Sequence, residues 1–483
     1  MYDGPPVVVV GCGPVGQTTA LLLARWGVRA LVLDAEPRRR AAGSRSICQQ
    51  RDVLDVWDSI GVGRRIAAEG VTWRVARTFF REHELFHVEF ADSGSSPFPP
   101  WVNIAQSRVE QLLDEQIART PAVEVRWGTT VTAVEDHGSG VTVQTDAGPV
   151  ETPYVVGCAG AHGGVVRDAV GGGFEGRSFD DRFLICDVRC DLPDRKLERR
   201  FHFDPSWNPG RQVLIHPCPD SVFRIDWQVP PDFDLETEQR SGALEDRVRH
   251  VVGDRPFEVV WCTVYRFHSR LAGRMAQGRV LLAGDAAHLV APFGARGLNS
   301  GVADAENAAW RIAFALHGWA APSVVAAYDD ERRAAARENL EITSSTMDFL
   351  VPQTEEGWAH RRDVLERAIV DPAARAEIDS GRLYAPHRYG ADPHPAVGAL
   401  VPDHAVEGVR LRELARRGLL LLSREPVDVP RLDVPCSAVT VSAHAADGLG
   451  LRADEVWVVR PDAHVGAVVG RDGVAGAVRG LLG

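Results

Sequence analysis

Four consecutive valines, Val7 to Val10, run directly into Gly11-Cys12-Gly13-Pro14-Val15-Gly16, and this junction constrains the chain more than any other feature. A short β-branched run without polar alternation suits a strand buried on both faces of a parallel sheet. The next residues, QTTALLLARWG, read as a helix closed by Gly27, and VRALVLD reads as a second strand ending on Asp34. Strand, glycine turn, helix and strand make a βαβ unit, the opening of an α/β fold. Gly11 and Gly13 allow a tight turn and a close backbone approach to a pyrophosphate, and Gly16 lets the helix pack on the strand. Pro14 and Val15 open the helix, whose free N–H groups and partial positive charge would face the phosphates. Asp34, with Ala35 behind it, is placed to accept hydrogen bonds from a ribose. Cys12 reads as a small space-filling residue in that turn.

Composition narrows the remaining possibilities. The chain has 483 residues, 45% hydrophobic and 25% charged, which suits a globular protein of several domains and not a disordered one. Lys plus Arg is 54 against 66 Asp plus Glu, a net charge of −12. That balance argues against nucleic acid or an anionic membrane as the main partner. No apolar run approaches the roughly 18 residues of a membrane span. The eight cysteines are scattered with no CxxC pair, so no metal site is expected and a reducing, cytoplasmic compartment is. The Arg38-Arg39-Arg40 run reads as a solvated loop.

Farther along, residues 183–270 are rich in strand patterns (FLICDVRC, RQVLIHPC, SVFRIDWQV, VVWCTVYRF) and residues 301–345 read as helical. A Pro- and Gly-rich stretch near 385–405 marks a boundary, after which LRELARRG, LLLLS, AVTVSA and VWVVRPD read as a small α/β domain. A second distinctive segment, GRVLLAGDAAHLVAPFGARGLNSG, begins at Gly278. Its strand delivers Asp285 to a carboxyl end, where an acid can bind ribityl or ribose hydroxyls. The turn at Pro292 and then Gly297-Leu298-Asn299 open a helix whose N–H groups can face the electron-accepting side of an isoalloxazine.

This second segment resembles the second FAD motif of the class A flavoprotein monooxygenases, the family of the para-hydroxybenzoate, phenol and aromatic-polyketide hydroxylases. Three further stretches resemble family segments in the same order. They are GSRSICQQR around Arg45, NIAQSRVEQLLDE around Gln106, and TTVTAVED, where the backbone of Val131 would meet the adenine. The tail ending VWVVRPDAHVGAVVG resembles the thioredoxin-like C-terminal domain of the phenol and polyketide branches. The resemblance implies a Rossmann-type FAD-binding domain over residues 1–75, 100–180 and 275–385. It also implies a β-sheet substrate domain over 76–99 and 181–274, and a thioredoxin-like domain over 395–483. The implied partners are FAD, NADPH or NADH as a transient co-substrate, O2 and a phenolic or polycyclic aromatic substrate of secondary metabolism. The implied chemistry is oxygen transfer from a flavin C4a-hydroperoxide by a monomer or homodimer.

One segment departs from the family pattern. In VVGCAGAHGGVVRDAVG, Ala159-Gly160 stands where an Asp-Gly pair serving FAD and the passing NAD(P)H is expected, and one extra residue precedes Arg167. Gly160 keeps its place as a cofactor-binding position, but the carboxylate is missing. This motivates two other readings on the same fold: a Baeyer–Villiger monooxygenase or flavin oxidase or dehydrogenase, and a non-catalytic FAD binder. No catalytic side chain stands out. His216, Arg224, Asp226, Tyr265 and His268 lie in the middle strands, and a His or Tyr there could deprotonate or hydrogen-bond a phenol. His216, Arg224 and Tyr265 are the candidates carried forward. Strand alternation puts Arg224 and Asp226 on one face, where they could equally form an ion pair, and Phe223 and Ile225 on the other. His288 reads as a residue shaping the flavin loop, and Trp207 and Trp227 as core packing.

Overall fold

The computed structural model describes residues 1–39, 46–90 and 96–483. A six-stranded sheet runs in the spatial order Ala276–Gln277, Val280–Leu282, Val155–Gly157, Val7–Val10, Ala30–Asp34, Val123–Trp127. All its pairings are parallel except that of Ala276–Gln277. The valine strand lies at its centre, with Val7, Val8 and Val9 fully buried, as its unbroken apolar pattern requires. The Pro14–Arg25 helix starts on proline, whose missing N–H costs nothing in a first turn. It packs on its own turn at Gly16 and against the long Arg296–Leu316 helix at Gly301. A Cβ on Gly16 would stand 1.9 Å from the Gly11 carbonyl oxygen, and one on Gly301 would stand 2.7 Å from Val15 Cγ2.

A second sheet of eight strands runs in the order His288–Leu289, Glu258–Ala272, Phe174–Arg189, Val222–Val229, Gln212–Pro217, Glu198–Phe203, Val75–Phe80, His83–Glu89. Its register sorts the side chains into two unlike faces. One face carries Leu184, Cys186, Val188, Val213, Ile215, Phe223, Ile225 and Trp227, covered by Leu244, Val248, Val251 and Val252 of the Ala243–Val252 helix. Each of these aliphatic side chains contributes roughly 1.5–3 kcal/mol by leaving water. Trp227 is therefore core. Trp207 stacks on His250 at 6.2 Å and packs on the same side.

The opposite face is mixed. Its aromatic end holds Phe80, Phe183, Phe201 and Phe203, which pack on Phe293, on Met347, Phe349 and Leu350 of the Ser323–Leu350 helix, and on Val364, Leu365 and Ala368 of the Glu355–Val370 helix. Its other end is polar and is described below.

The C-terminal residues form a four-stranded sheet in the order Cys436–Thr440, Leu419–Ser423, Val456–Val459, Val465–Val469. The first pair is parallel and the other two are antiparallel. The unit is tied to the rest by buried ion pairs. Arg416 meets Glu306 at 2.6 Å and Asp55 at 2.7 Å, Arg410 meets Asp55 at 2.6 Å, and Arg460 meets Glu331 at 2.6 Å. Asp52 and Asp55 belong to the Arg51–Asp58 helix, so the C-terminal unit grips the helix that follows Cys48–Gln50. Among the described residues no helix is long and apolar enough to cross a membrane.

Candidate functional site

Four loops meet at the carboxyl ends of the central parallel strands, where open α/β sheets place their ligands. The first is the glycine turn. Gly11 has φ +104°, and a Cβ there would strike the backbone of Ala159 at 2.7 Å. Only glycine fits that contact. Gly13 differs: its φ is −73°, and a Cβ there would meet no atom within 4 Å. The turn thus leaves open space at Gly13, beside the N-terminal N–H groups of Val15 and Gly16.

Asp34 ends its strand and accepts hydrogen bonds from the backbone N–H of Cys12 at 2.7 Å and of Glu36 at 2.9 Å. Each carboxylate oxygen keeps a lone pair for a further donor. Burial pushes the Cys12 thiol up to about 12, consistent with an inert filler. Thr129 N–H donates to the Asp34 carbonyl, which brings the Val131–Asp136 strand beside the acid. The Ser46 N–H donates to Gln106 Oε1 at 3.2 Å, so Gln106 stands at the entry of the same cleft. Arg45 lies outside the described residues. Arg39 is not the solvated residue expected from the arginine run. It donates to the Cys12 carbonyl at 3.0 Å and to Asp114 Oδ1 at 2.8 Å, and it lies over the Trp127 ring at 5.3 Å. The acids that hold it are far along the chain, on the Gln106–Ile117 helix.

The second and third loops are bound to one another. Arg167 donates to the Ala286 carbonyl at 2.8 Å and to the Ala161 carbonyl at 3.3 Å, so the loop with Ala159 and Gly160 is held against the Gly284–Ala286 turn. Gly160 has φ +65° and open space at its Cβ position. Asp285 is half-buried in the turn. Buried Asp304 fixes that turn from below: it accepts from Gly284 N–H at 2.9 Å, lies 2.7 Å from His288 Nε2 and accepts from Arg332 at 2.7 Å. His288 is fully buried and serves as this brace.

The fourth loop opens the Arg296–Leu316 helix after Ala295, which is left-handed at φ +57°. Pro292 is exposed, and Gly297 and Leu298 are half-buried. Buried Asn299 accepts from Gln50 N–H at 2.9 Å and donates to the Cys48 carbonyl at 3.0 Å. It thereby seats the Cys48–Gln50 strand beside the helix start. Phe293, next to Pro292, meets Phe183 of the second sheet edge-on at 5.7 Å.

The polar end of the mixed sheet face lies beneath this strand. Cys48 pairs with Asn103, and Asn103 Nδ2 donates to the Pro217 carbonyl at 2.9 Å. His216 stands opposite Arg224, Arg224 opposite Asp187, and Asp187 opposite Trp261. The next row holds Leu214, Asp226, Ile185 and Thr263, and the one after it Gln228, Phe183 and Tyr265. His216, Arg224, Asp226 and Tyr265 therefore share a face, as alternation predicted for the Arg224 and Asp226 pair. His268 falls on the opposite face, within 2.7 Å of Ser178 Oγ, and leaves the candidate set.

Arg224 does not pair with Asp226. It makes a two-pronged contact with Asp187, both prongs 2.8 Å, because strand register sets Asp187 directly across from it. Asp226 lies 3.9 Å from His216 Nε2. Burial raises its carboxyl to about 7, against the lowering pull of Arg224. Burial, with Arg199 and Arg224 nearby, holds the His216 imidazole well below its ordinary range, so it is neutral at pH 7. Sequence reasoning missed Arg199, Cys48 and Asn103. Only the register of the second sheet and the crossing strand bring them to this place.

The donor set and the vacant contacts fit a flavin with an aromatic ligand beside it. Asn103 Oδ1, Gln50 Nε2 and Asp226 Oδ1 are buried and find no hydrogen-bond partner among the described residues, a costly state unless a ligand or water supplies one. A cavity of about 300 Å³ lined by Pro217, Cys218, Val71 and Lys196 opens at the outer end of the His216 strand, a volume in the range of small-molecule pockets.

Residues 5–343 match the family described as FAD binding domain. The chain belongs to that family. It is 29% identical over 395 residues to the 3-(3-hydroxy-phenyl)propionate/3-hydroxycinnamic acid hydroxylase of Mycobacterium sp. (strain JLS), covering 80% of this chain and 68% of that one. The hydroxylase of the same name from Mycolicibacterium vanbaalenii is 31% identical over 400 residues, covering 81% and 68%. Among solved structures, the flavin-dependent monooxygenase PieE superposes with a TM-score of 0.84 at 22% identity, over 100% of this chain and 99% of that one. Aklavinone-11 hydroxylase gives 0.78 at 22% identity, over 100% of both chains. The protein is an FAD-dependent aromatic hydroxylase with the α/β fold of the FAD-binding monooxygenases.

Proposed function

We propose that this hydroxylase inserts one oxygen atom of O2 into a phenolic ring held between the Cys48–Gln50 strand and the polar end of the second sheet, with NADPH or NADH as electron donor. The observation that carries this reading is the mixed sheet face. A neutral imidazole and a carboxyl raised to about 7 lie at the end of the face beneath the strand held by Asn299, next to the aromatic end of that face, while the opposite face of the same sheet is apolar core. When bound, FAD supplies the redox chemistry, taking electrons from the nicotinamide and activating dioxygen.

The chain's own residues supply binding, orientation and dryness. Gly11, Gly13, Pro14, Val15 and Gly16 receive the pyrophosphate, and Asp34 and Ala35 the adenosine ribose. Val131, Gln106, Gly160 and Arg45 line the cofactor's course, and Asp285 holds its polyol. Pro292, Gly297, Leu298 and Asn299 seat the isoalloxazine at a helix N-terminus, where negative charge is favoured. His216, neutral and 3.9 Å from Asp226, accepts the phenol proton, and Asp226 and Tyr265 orient the ring. Arg167 keeps the 159–163 loop against the Asp285 turn, which supports FAD binding without the missing carboxylate.

Residues 395–483 are assigned to a thioredoxin-like unit. The spatial strand order, a parallel pair followed by an antiparallel hairpin, and a terminal Val474–Leu482 helix support this. Residues 1–75, 100–180 and 275–385 are assigned to the FAD unit, and 76–99 with 181–274 to the substrate unit.

The test is NADPH and NADH oxidation by the purified holoenzyme, with and without 3-(3-hydroxyphenyl)propionate and a panel of phenols, with product masses read in parallel. Faster oxidation with a phenol and a product heavier by one oxygen support the reading. Equal rates with every phenol and no oxygenated product overturn it.

A further inference from the structure

Charge on the polar end of the sheet is only partly paired by direct contacts. Arg224 and Asp187 neutralise one another through their two-pronged contact. His216 is neutral and Asp226 lies near its midpoint at pH 7. Arg199 is a further cation on this face. It precedes Arg200, which pairs with Ile215, so Arg199 is the cross-strand neighbour of His216 and points to the same side. Its guanidinium lies 5.7 Å from the centroid of the Phe201 ring. The Arg199 side chain makes no hydrogen bond or ion pair with any described residue, whereas that of its neighbour Arg200 is held by Glu198 at 2.8 Å.

The groups that feel Arg199 are Cys48 on the crossing strand, His216 and Asp226. The two thiols nearby, Cys48 and Cys218, are pushed up to about 12 by burial and supply no negative charge. Burial lowers the Arg199 guanidinium from its ordinary value while Cys48 and Asp226 oppose that shift, and its planar fork matches an oxyanion. A partly buried guanidinium that no described acid contacts directly, beside an aromatic ring and the flavin-side strand, is a place for an anion carried on an aromatic ligand.

We propose that Arg199 is a specificity-determining residue that binds the ionised oxygen of the aromatic substrate, a phenolate or a ring-borne carboxylate, between the second sheet and Cys48. The inference rests on the hydroxylase reading above and deepens it by naming the substrate as an aromatic oxyanion. Arg199 touches the substrate oxygen, and His216, across the strand, takes the proton when that oxygen arrives as a phenol. Asp226 attracts Arg199 only through space and makes no ion pair with it among the described residues, so a neutral aromatic of the same size leaves the guanidinium without a direct partner.

The test uses the FAD-loaded enzyme and 4-nitrophenol, whose phenolate absorbs visibly. In wild type at pH 6, bound 4-nitrophenol shifts toward phenolate relative to free dye. The Arg199→Met variant loses that shift and binds at least tenfold more weakly, and Arg199→Lys restores part of both. Displacement of the dye by 3-phenylpropionate, which has no hydroxyl, reads whether a carboxylate takes the same place. Displacement assigns Arg199 to carboxylates as well, and its absence assigns it to phenolates alone. Failure of 4-nitrophenol and 3-phenylpropionate to bind wild type, or equal binding by wild type and Arg199→Met, overturns the inference. FAD content and phenol-stimulated NAD(P)H oxidation are measured on the same samples. If those persist while Arg199→Met changes nothing, the anion assignment falls and the hydroxylase reading stands. If stimulation is absent in wild type, the hydroxylase reading falls.

Discussion

Gly13→Val separates the folding role of the glycine turn from its binding role. Gly13 has φ −73°, open to any residue, and its missing Cβ points where no protein atom lies within 4 Å. The cost to folding is that of exchanging glycine for a β-branched residue at a helix N-cap, about 1 kcal/mol. The cost to FAD is larger, because the side chain would fill the space through which a pyrophosphate reaches the N–H groups of the first helical turn. Losing two charge-assisted hydrogen bonds of about 1.5–3 kcal/mol each weakens FAD binding roughly 10²- to 10⁴-fold. Gly16→Val is the contrasting variant. Its Cβ would stand 1.9 Å from the Gly11 carbonyl oxygen, so the turn itself must move and the apoprotein loses stability. The assay is FAD titration of deflavinated protein by fluorescence quenching, beside thermal unfolding of each apoprotein. The reasoning predicts a Gly13→Val apoprotein that melts near wild type yet fails to take up FAD. Full flavin occupancy with wild-type affinity would refute the placement of the pyrophosphate at this turn.

Other residues give further predictions. With Asp285 holding the cofactor's polyol as proposed, Asp285→Ala should raise the Kd for FAD about 10- to 100-fold by the same titration. Arg416→Met leaves Asp55 and Glu306 short of a buried partner and should destabilise the protein by about 3–5 kcal/mol in chemical denaturation; a loss below 1 kcal/mol would show that the clamp is energetically idle. Asp226 has its folded carboxyl raised to about 7 from 3.8, so between those pH values the native state binds the extra proton. Stability from this group is fullest below about pH 4, falls as pH rises, and bottoms out above about pH 7. Substrate-free Asp226→Asn should therefore lose less stability than wild type between pH 5 and 8, as read by unfolding midpoints; parallel pH profiles would contradict the burial of this carboxyl.

The parallel sheet and its ligand end were legible because their signals are local. An unbroken valine strand, a glycine turn of fixed spacing and an acid ending the next strand each lie within a few residues of one another. Alternation likewise placed Arg224 and Asp226 on one face without any tertiary information. What escaped is set by pairings distant in sequence. Asp187, not Asp226, neutralises Arg224 because the Phe174–Arg189 strand lies directly across from it. His268 left the set because an odd separation from Tyr265 along one strand reverses its face. Arg39 is held by Asp114, 75 residues away, which composition around the arginine run does not reveal. The grip of Arg410 and Arg416 on the Arg51–Asp58 helix has no sequence signature, since any surface helix carries such charges. Arg199 escaped for a related reason: its significance is that no described acid contacts it directly, which becomes visible only once its neighbours have positions.

The most direct test of the central claim is the visible spectrum of the purified holoenzyme during anaerobic addition of NADPH, then NADH, with and without a phenolic ligand. The account predicts a yellow protein whose flavin absorbance bleaches, and bleaches faster when the phenol is bound. A colourless protein that takes up no added FAD, or a flavin that neither nucleotide reduces with any phenol present, would contradict it.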